Sequence, residues 1–117
     1  MMGASVEIFV VKRGPKPRVV PPSAVASRGD TLVIQNYTRE DLTVSFDDTE
    51  FFRVEPTGPV PPGGRAQVTI ATTPERFGVF VYSVRVGPVE LPIGREFLSL
   101  PGEEVEVYSS PEVIIRR

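Results

Sequence analysis

GVFVYSVRV, residues 78–86, is the most apolar run in the chain, and the fold is read from it. Phe80, Tyr82 and Val84 recur at every second position, so as a strand they share one face. Gly78 opens the run and Gly87-Pro88 closes it, which is strand punctuation. It has the pattern of a buried strand leading to a functional position. At its end, where a reactive cysteine would be at home, stands Val84. The chain has neither cysteine nor histidine.

Similar runs lie on either side. SVEIFVV (5–11), TLVIQN (31–36), LTVSF (42–46), FFRVE (51–55) and RAQVTIA (65–71) all read as strands. EVEVY (104–108) and Val113–Ile115 add two more. Between them lie segments of turn chemistry: KRGPKPR (12–18), Arg28-Gly29-Asp30, YTRED (37–41), DDTE (47–50), PTGPVPPGG (56–64) and TTPERFG (72–78). Pro21-Pro22 demands an extended edge segment. No stretch holds a helical period, and REFLSL (95–100) has room for one short helical turn only. With 13 prolines and 10 glycines between apolar runs, the expectation is an all-β, two-sheet Greek-key β-sandwich of about seven to nine strands. At 117 residues the chain fits one domain, 1–117, able to bury a core without covalent staples.

Composition narrows the function. A net charge of -2 gives no basic surface for nucleic acid and no pull toward anionic lipid. The N-terminal apolar run is short and carries Glu7, so no membrane insertion is expected. It lacks the flanks of a secretory signal. A complete chain would be cytoplasmic, and one that has lost a signal would be extracytoplasmic. Without cysteine there is no disulfide or thiolate chemistry, and without histidine the commonest general base and metal ligand are gone. Arginine outnumbers lysine eleven to two, a composition associated with heat-adapted or GC-rich sources.

The order of these segments resembles the cupredoxin family, the fold of plastocyanin, azurin and copper nitrite reductase domains. Gly29-Asp30 opens a strand ending in Asn36. Six residues on, LTVSF (42–46) matches the spacing of that family's H-x-V-x-F. Pro62-Gly63 precedes RAQVTI, and Gly78-Val79-Phe80-Val81-Tyr82-Ser83 leads to the position of the copper cysteine. The resemblance spans residues 19–86 and the last strand. It implies a copper site whose ligand positions are Leu42, Val84 and Gly87, and none of these residues can hold copper. No methionine follows in the next loop. The expectation is a cupredoxin-like domain with no metal, no cofactor and core in place of the site. An immunoglobulin-like or fibronectin-like sandwich shares the strand count but not the Asn36-to-Leu42 spacing.

Other chemistry is sparse. Asp47, Asp48 and Glu50, with Glu40 and Asp41 nearby, suggest a hard-cation site, but lack the spaced ligands and glycine of a calcium loop. A solvated turn explains them as well. No hydroxyl has an activating base in the sequence, and no G-x-S-x-G elbow is present. Arg28-Gly29-Asp30 spells an adhesion tripeptide, and also a turn before a strand. The sharper features are two. Tyr37 and Arg39 are residue types common at binding hot spots. GPVELPIGREFLSLPG (87–102) carries Leu91, Ile93, Phe97 and Leu98, either as a protein or homodimer contact or as cover for the chain's own core. The expected function is a non-catalytic protein-interaction or accessory module, not an enzyme. The alternative is a small-ligand binder or carboxylate-based hydrolase.

Overall fold

The computed structural model describes residues 3–91 and 110–117, and these residues form strands and turns with no helix. Eleven strands are present among them: β1 (Ser5–Arg13), β2 (Lys16–Val20), β3 (Ser23–Ser27), β4 (Thr31–Asn36), β5 (Leu42–Ser45), β6 (Phe52–Glu55), β7 (Arg65–Ile70), β8 (Gly78–Val81), β9 (Ser83–Val86), β10 (Val89–Leu91) and β11 (Glu112–Arg116). They make a five-stranded sheet, β2-β1-β4-β7-β6, and two three-stranded sheets, β10-β9-β5 and β3-β11-β8.

This overturns the two-sheet Greek-key sandwich of seven to nine strands, and with it the cupredoxin resemblance. The described residues hold three sheets, and two of them are mixed. β1 runs parallel to β4 with Ile8 opposite Ile34, and β3 runs parallel to β11 with Val25 opposite Ile114. The short helical turn expected at 95–100 and the strand at 104–108 lie outside the described residues.

Two local causes raise the strand count. KRGPKPR was expected to be a loop, yet Gly14, at φ +63°, turns the chain tightly enough for β1 and β2 to pair from Arg13↔Lys16 to Phe9↔Val20. Pro17 is tolerated because β2 is a sheet edge. The second cause lies in 78–86. It is two strands, broken at Tyr82, because its halves have different neighbours. β8 pairs with β11, while β9 lies between β5 and β10. The Tyr82 amide donates to the Pro111 carbonyl at 3.1 Å, the last link to the β11 side before the sheets part.

The inward alternation survives the break. Tyr82, Val84 and Val86 are buried and Phe80 is half-buried. All three sheets feed one core, with Ile8 and Val10 from β1, Leu32 and Ile34 from β4, Val68 and Ile70 from β7, and Val113 and Ile115 from β11. Burial of side chains this size contributes roughly 1.5–3 kcal/mol each before entropy is counted. An aromatic stack fills one end. Phe46 lies 4.4 Å from Phe52 and 4.8 Å from Tyr82, and Phe51 meets Phe52 edge-on at 4.9 Å.

Asp30 closes the opposite corner. Its carboxylate accepts from the Ala4 amide at 3.0 Å and the Ser27 amide at 2.8 Å. The Arg28-Gly29-Asp30 tripeptide is thus the turn that seats the start of β1 beside β4.

Candidate functional site

The loop after β4 is built by Asn36 and Thr38. Asn36 is completely buried. Its Nδ2 donates to the Glu40 carbonyl at 2.8 Å and the Val60 carbonyl at 3.0 Å. Its Oδ1 accepts from the Thr38 amide at 2.9 Å and the Thr38 hydroxyl at 2.6 Å. The Asn36 backbone pairs with Gly63 and Gly64. An asparagine that copies a backbone turn holds such a loop in one shape.

Residues 37–41 then meet two other parts of the chain. Lys12 Nζ, on β1, lies 2.7 Å from Glu40 Oε2, both side chains partly shielded from water. The Gly87 amide donates to the Asp41 carbonyl at 3.2 Å. Gly87 has φ +55°, and a Cβ there would lie 2.8 Å from the Glu40 carboxyl group. The positive φ favours glycine there, and a larger residue would also have to displace the Glu40 carboxyl group.

Above this base stands Tyr37, 59% exposed, its ring 5.3 Å from Phe9. Lys12, Gly14, Tyr37, Thr38, Arg39 and Glu40 line an open depression of about 500 Å³. Tyr37 and Arg39 therefore lie together on a braced surface. A second, more apolar depression of about 300 Å³ lies where β5 meets β6, and its lining includes Val44, Phe46, Phe52 and Val54.

The other candidate residues are placed differently. Leu42 and Val84 are completely buried, Leu42 opposite Val86 and Val84 between Val44 and Leu91. Leu91 is buried at 2% exposure, and is core rather than surface. Ile93, Phe97 and Leu98, with most of 87–102, lie outside the described residues.

The carboxylates of 40–50 do not converge. Glu40 pairs with Lys12, Asp48 pairs with Arg76 and accepts from the Phe51 amide, and Asp41, Asp47 and Glu50 are exposed. Among the described residues no three histidine, cysteine, aspartate or glutamate side chains come together as a cation cage. No helix among them is long and apolar enough to cross a membrane.

The sequence reading used Asn36 only as a spacing mark and missed its bracing role. N-x-T after a strand was the available signal. The contact between Glu40 and Gly87 has no local signal, since it joins residues far apart in the chain. In comparisons with known proteins, no family model matches the chain and no curated sequence matches it significantly.

Proposed function

We propose that the chain is a non-catalytic, metal-free module that binds another protein through the loop 37–41. One observation carries this reading: Tyr37 is 59% exposed yet rests against Phe9, ring centres 5.3 Å apart and planes tilted by 32°, above a loop held by the buried Asn36. A large aromatic side chain ordered before contact loses little entropy on binding, and a neighbouring arginine adds a directional donor. The dispersed carboxylates support a binding role over hydrolysis, which needs two carboxyl groups facing one substrate.

The test places a photo-crosslinking amino acid at position 37 and, separately, at exposed Thr69, in the full chain in extract of the source cell. A discrete adduct from position 37 that is absent from position 69, and lost with Arg39→Glu, is the expected result. Equal labelling from both positions sinks the proposal.

A small apolar ligand is the second reading, favoured by the more apolar depression whose lining includes Val44, Phe46, Phe52 and Val54. Saturable, ligand-dependent shifts of the Phe46 and Phe52 ring resonances with an apolar fragment set would support it, and their absence would dismiss it.

A further inference from the structure

The outer face of the β3-β11-β8 sheet carries an apolar row flanked by opposite charges, exposed among the described residues. Along β11 the outward residues are Glu112, Ile114 and Arg116, an acid, an aliphatic and a base in succession. Across the sheet, Ile114 lies between Val25 and Val79, which are 50% and 59% exposed. Val81, 49% exposed, adjoins Glu112 at the acidic end. At the basic end Phe77 is exposed, with the Arg28 and Arg117 guanidinium groups 5.4 and 5.1 Å from its ring centre. Glu112 accepts from the Ser23 hydroxyl at 2.6 Å, and Arg116 Nε donates to Ser27 Oγ at 3.0 Å, so both charges are held in place.

We infer that this face binds a second copy of the chain, with the two sheets face to face about a two-fold axis along the Val25–Ile114–Val79 row. That axis reverses the strand direction and preserves the row. Ile114 then lies over Ile114 of the copy, Val79 over Val79, and Val81 over Phe77. Glu112 of each chain meets Arg116 of the other, at both ends. A face with like charges at its two ends would repel itself in this arrangement, and this one attracts. Aligned sheet-on-sheet contact about 10 Å apart is the ordinary way such faces are buried. Three short strands cover less than the roughly 800 Å² per partner of a standard interface, so the dimer is weak, with Kd on the order of 10–100 µM. The proposal uses a different sheet from the Tyr37 loop and stands or falls separately from it.

Sedimentation velocity on the full chain from about 5 µM to about 1 mM tests it, a span that brackets the expected Kd. A reversible monomer–dimer equilibrium is expected. Ile114→Lys, on the exposed face, should weaken it by at least about tenfold while leaving the circular dichroism spectrum unchanged. Glu112→Arg and Arg116→Glu should each weaken it, and the double exchange should return Kd to within about threefold of the original. Recovery by the double exchange is the decisive readout, since neither misfolding nor another interface produces it. A monomer at every concentration, a dimer indifferent to Ile114→Lys, or a double exchange that does not recover each overturns the inference.

Discussion

The side chain of Asn36 donates to the carbonyl of Val60 at 3.0 Å, joining two residues 24 apart in the chain. The same nitrogen reaches the Glu40 carbonyl and the same side chain's oxygen takes the Thr38 amide. Leu42 and Val60 exchange both backbone hydrogen bonds, at 2.9 and 2.7 Å, so the turn before β7 is tied to the strand β5. Asn36 thus decides where the loop 37–41 sits, and with it Tyr37.

Replacing Asn36 with alanine removes four hydrogen bonds from a buried hub and leaves the Thr38 amide without its acceptor, while the Val60 carbonyl keeps the Leu42 amide and the Glu40 carbonyl keeps the Thr38 hydroxyl. The expected loss is about 2–4 kcal/mol, since each buried polar group left unsatisfied costs about 1–3 kcal/mol and water partly repays it. Thr38→Val keeps the shape and removes only the hydroxyl, so it should cost about 1 kcal/mol. Urea denaturation with a common m-value measures both. A change of under about 0.5 kcal/mol for Asn36→Ala would show that the loop is held by other means.

Tyr82 presents the opposite situation. It is 2% exposed within the aromatic stack, and its hydroxyl has no hydrogen-bond partner among the described residues. Tyr82→Phe removes a buried, unpaired polar group without altering shape. It should leave stability unchanged or raise it by about 1 kcal/mol, read as a higher thermal midpoint. A drop of more than about 1 kcal/mol would mean that the hydroxyl is satisfied in solution.

The same burial dictates a pH dependence. Desolvation raises the Tyr82 pKa well above the ordinary tyrosine value near 10. The folded chain therefore keeps a proton that the unfolded chain gives up. Tyr82 leaves stability untouched below about pH 10, and above it stability falls by about 1.4 kcal/mol per pH unit until the folded pKa is reached. By denaturation midpoints, stability should be nearly level from pH 9 to 10 and fall by about 1 kcal/mol from pH 10 to 11, and Tyr82→Phe should remove that fall. An identical alkaline slope in both proteins would place the titration elsewhere.

What could be read from the sequence follows from the reach of each interaction. LTVSF and RAQVTI appear where period-two alternation places them, because each strand shows its own inner face, and TLVIQN appears as a strand from its apolar run, with Leu32, Val33 and Ile34 all buried. The shared face of Phe80, Tyr82 and Val84 was legible for the same reason. Which strands become neighbours was not, because pairing joins distant residues. Nothing local in SVEIFVV announces a parallel partner in TLVIQN, and nothing in GVFVYSVRV announces a change of neighbour at Tyr82. The Pro-Gly and Gly-Asp turns that suggested a known architecture are short-range signals compatible with several sheet orders. Tyr37 and Arg39 were singled out by residue type, and both line the depression beside Lys12. Leu91 was offered by its hydrophobicity either as contact surface or as cover for the core, and at 2% exposure beside Val84 it is core.

Gly87 gives the most specific test of how the loop end is assembled. Its φ of +55° is strained for any other residue, and an added Cβ would press on the Glu40 carboxyl group at 2.8 Å. The first effect costs about 1 kcal/mol whatever Glu40 does. The second depends on Glu40, which is also the partner of Lys12. Gly87→Ala should therefore lose about 2–3 kcal/mol in all. In a chain that already carries Glu40→Ala, the same change should lose only about 1 kcal/mol, because the crowding is gone and the backbone cost remains. A double-mutant cycle in urea measures the coupling, expected at 1 kcal/mol or more. Additive losses would show that Glu40 moves aside freely, and that its contact with Lys12 does not hold it against the β9–β10 turn.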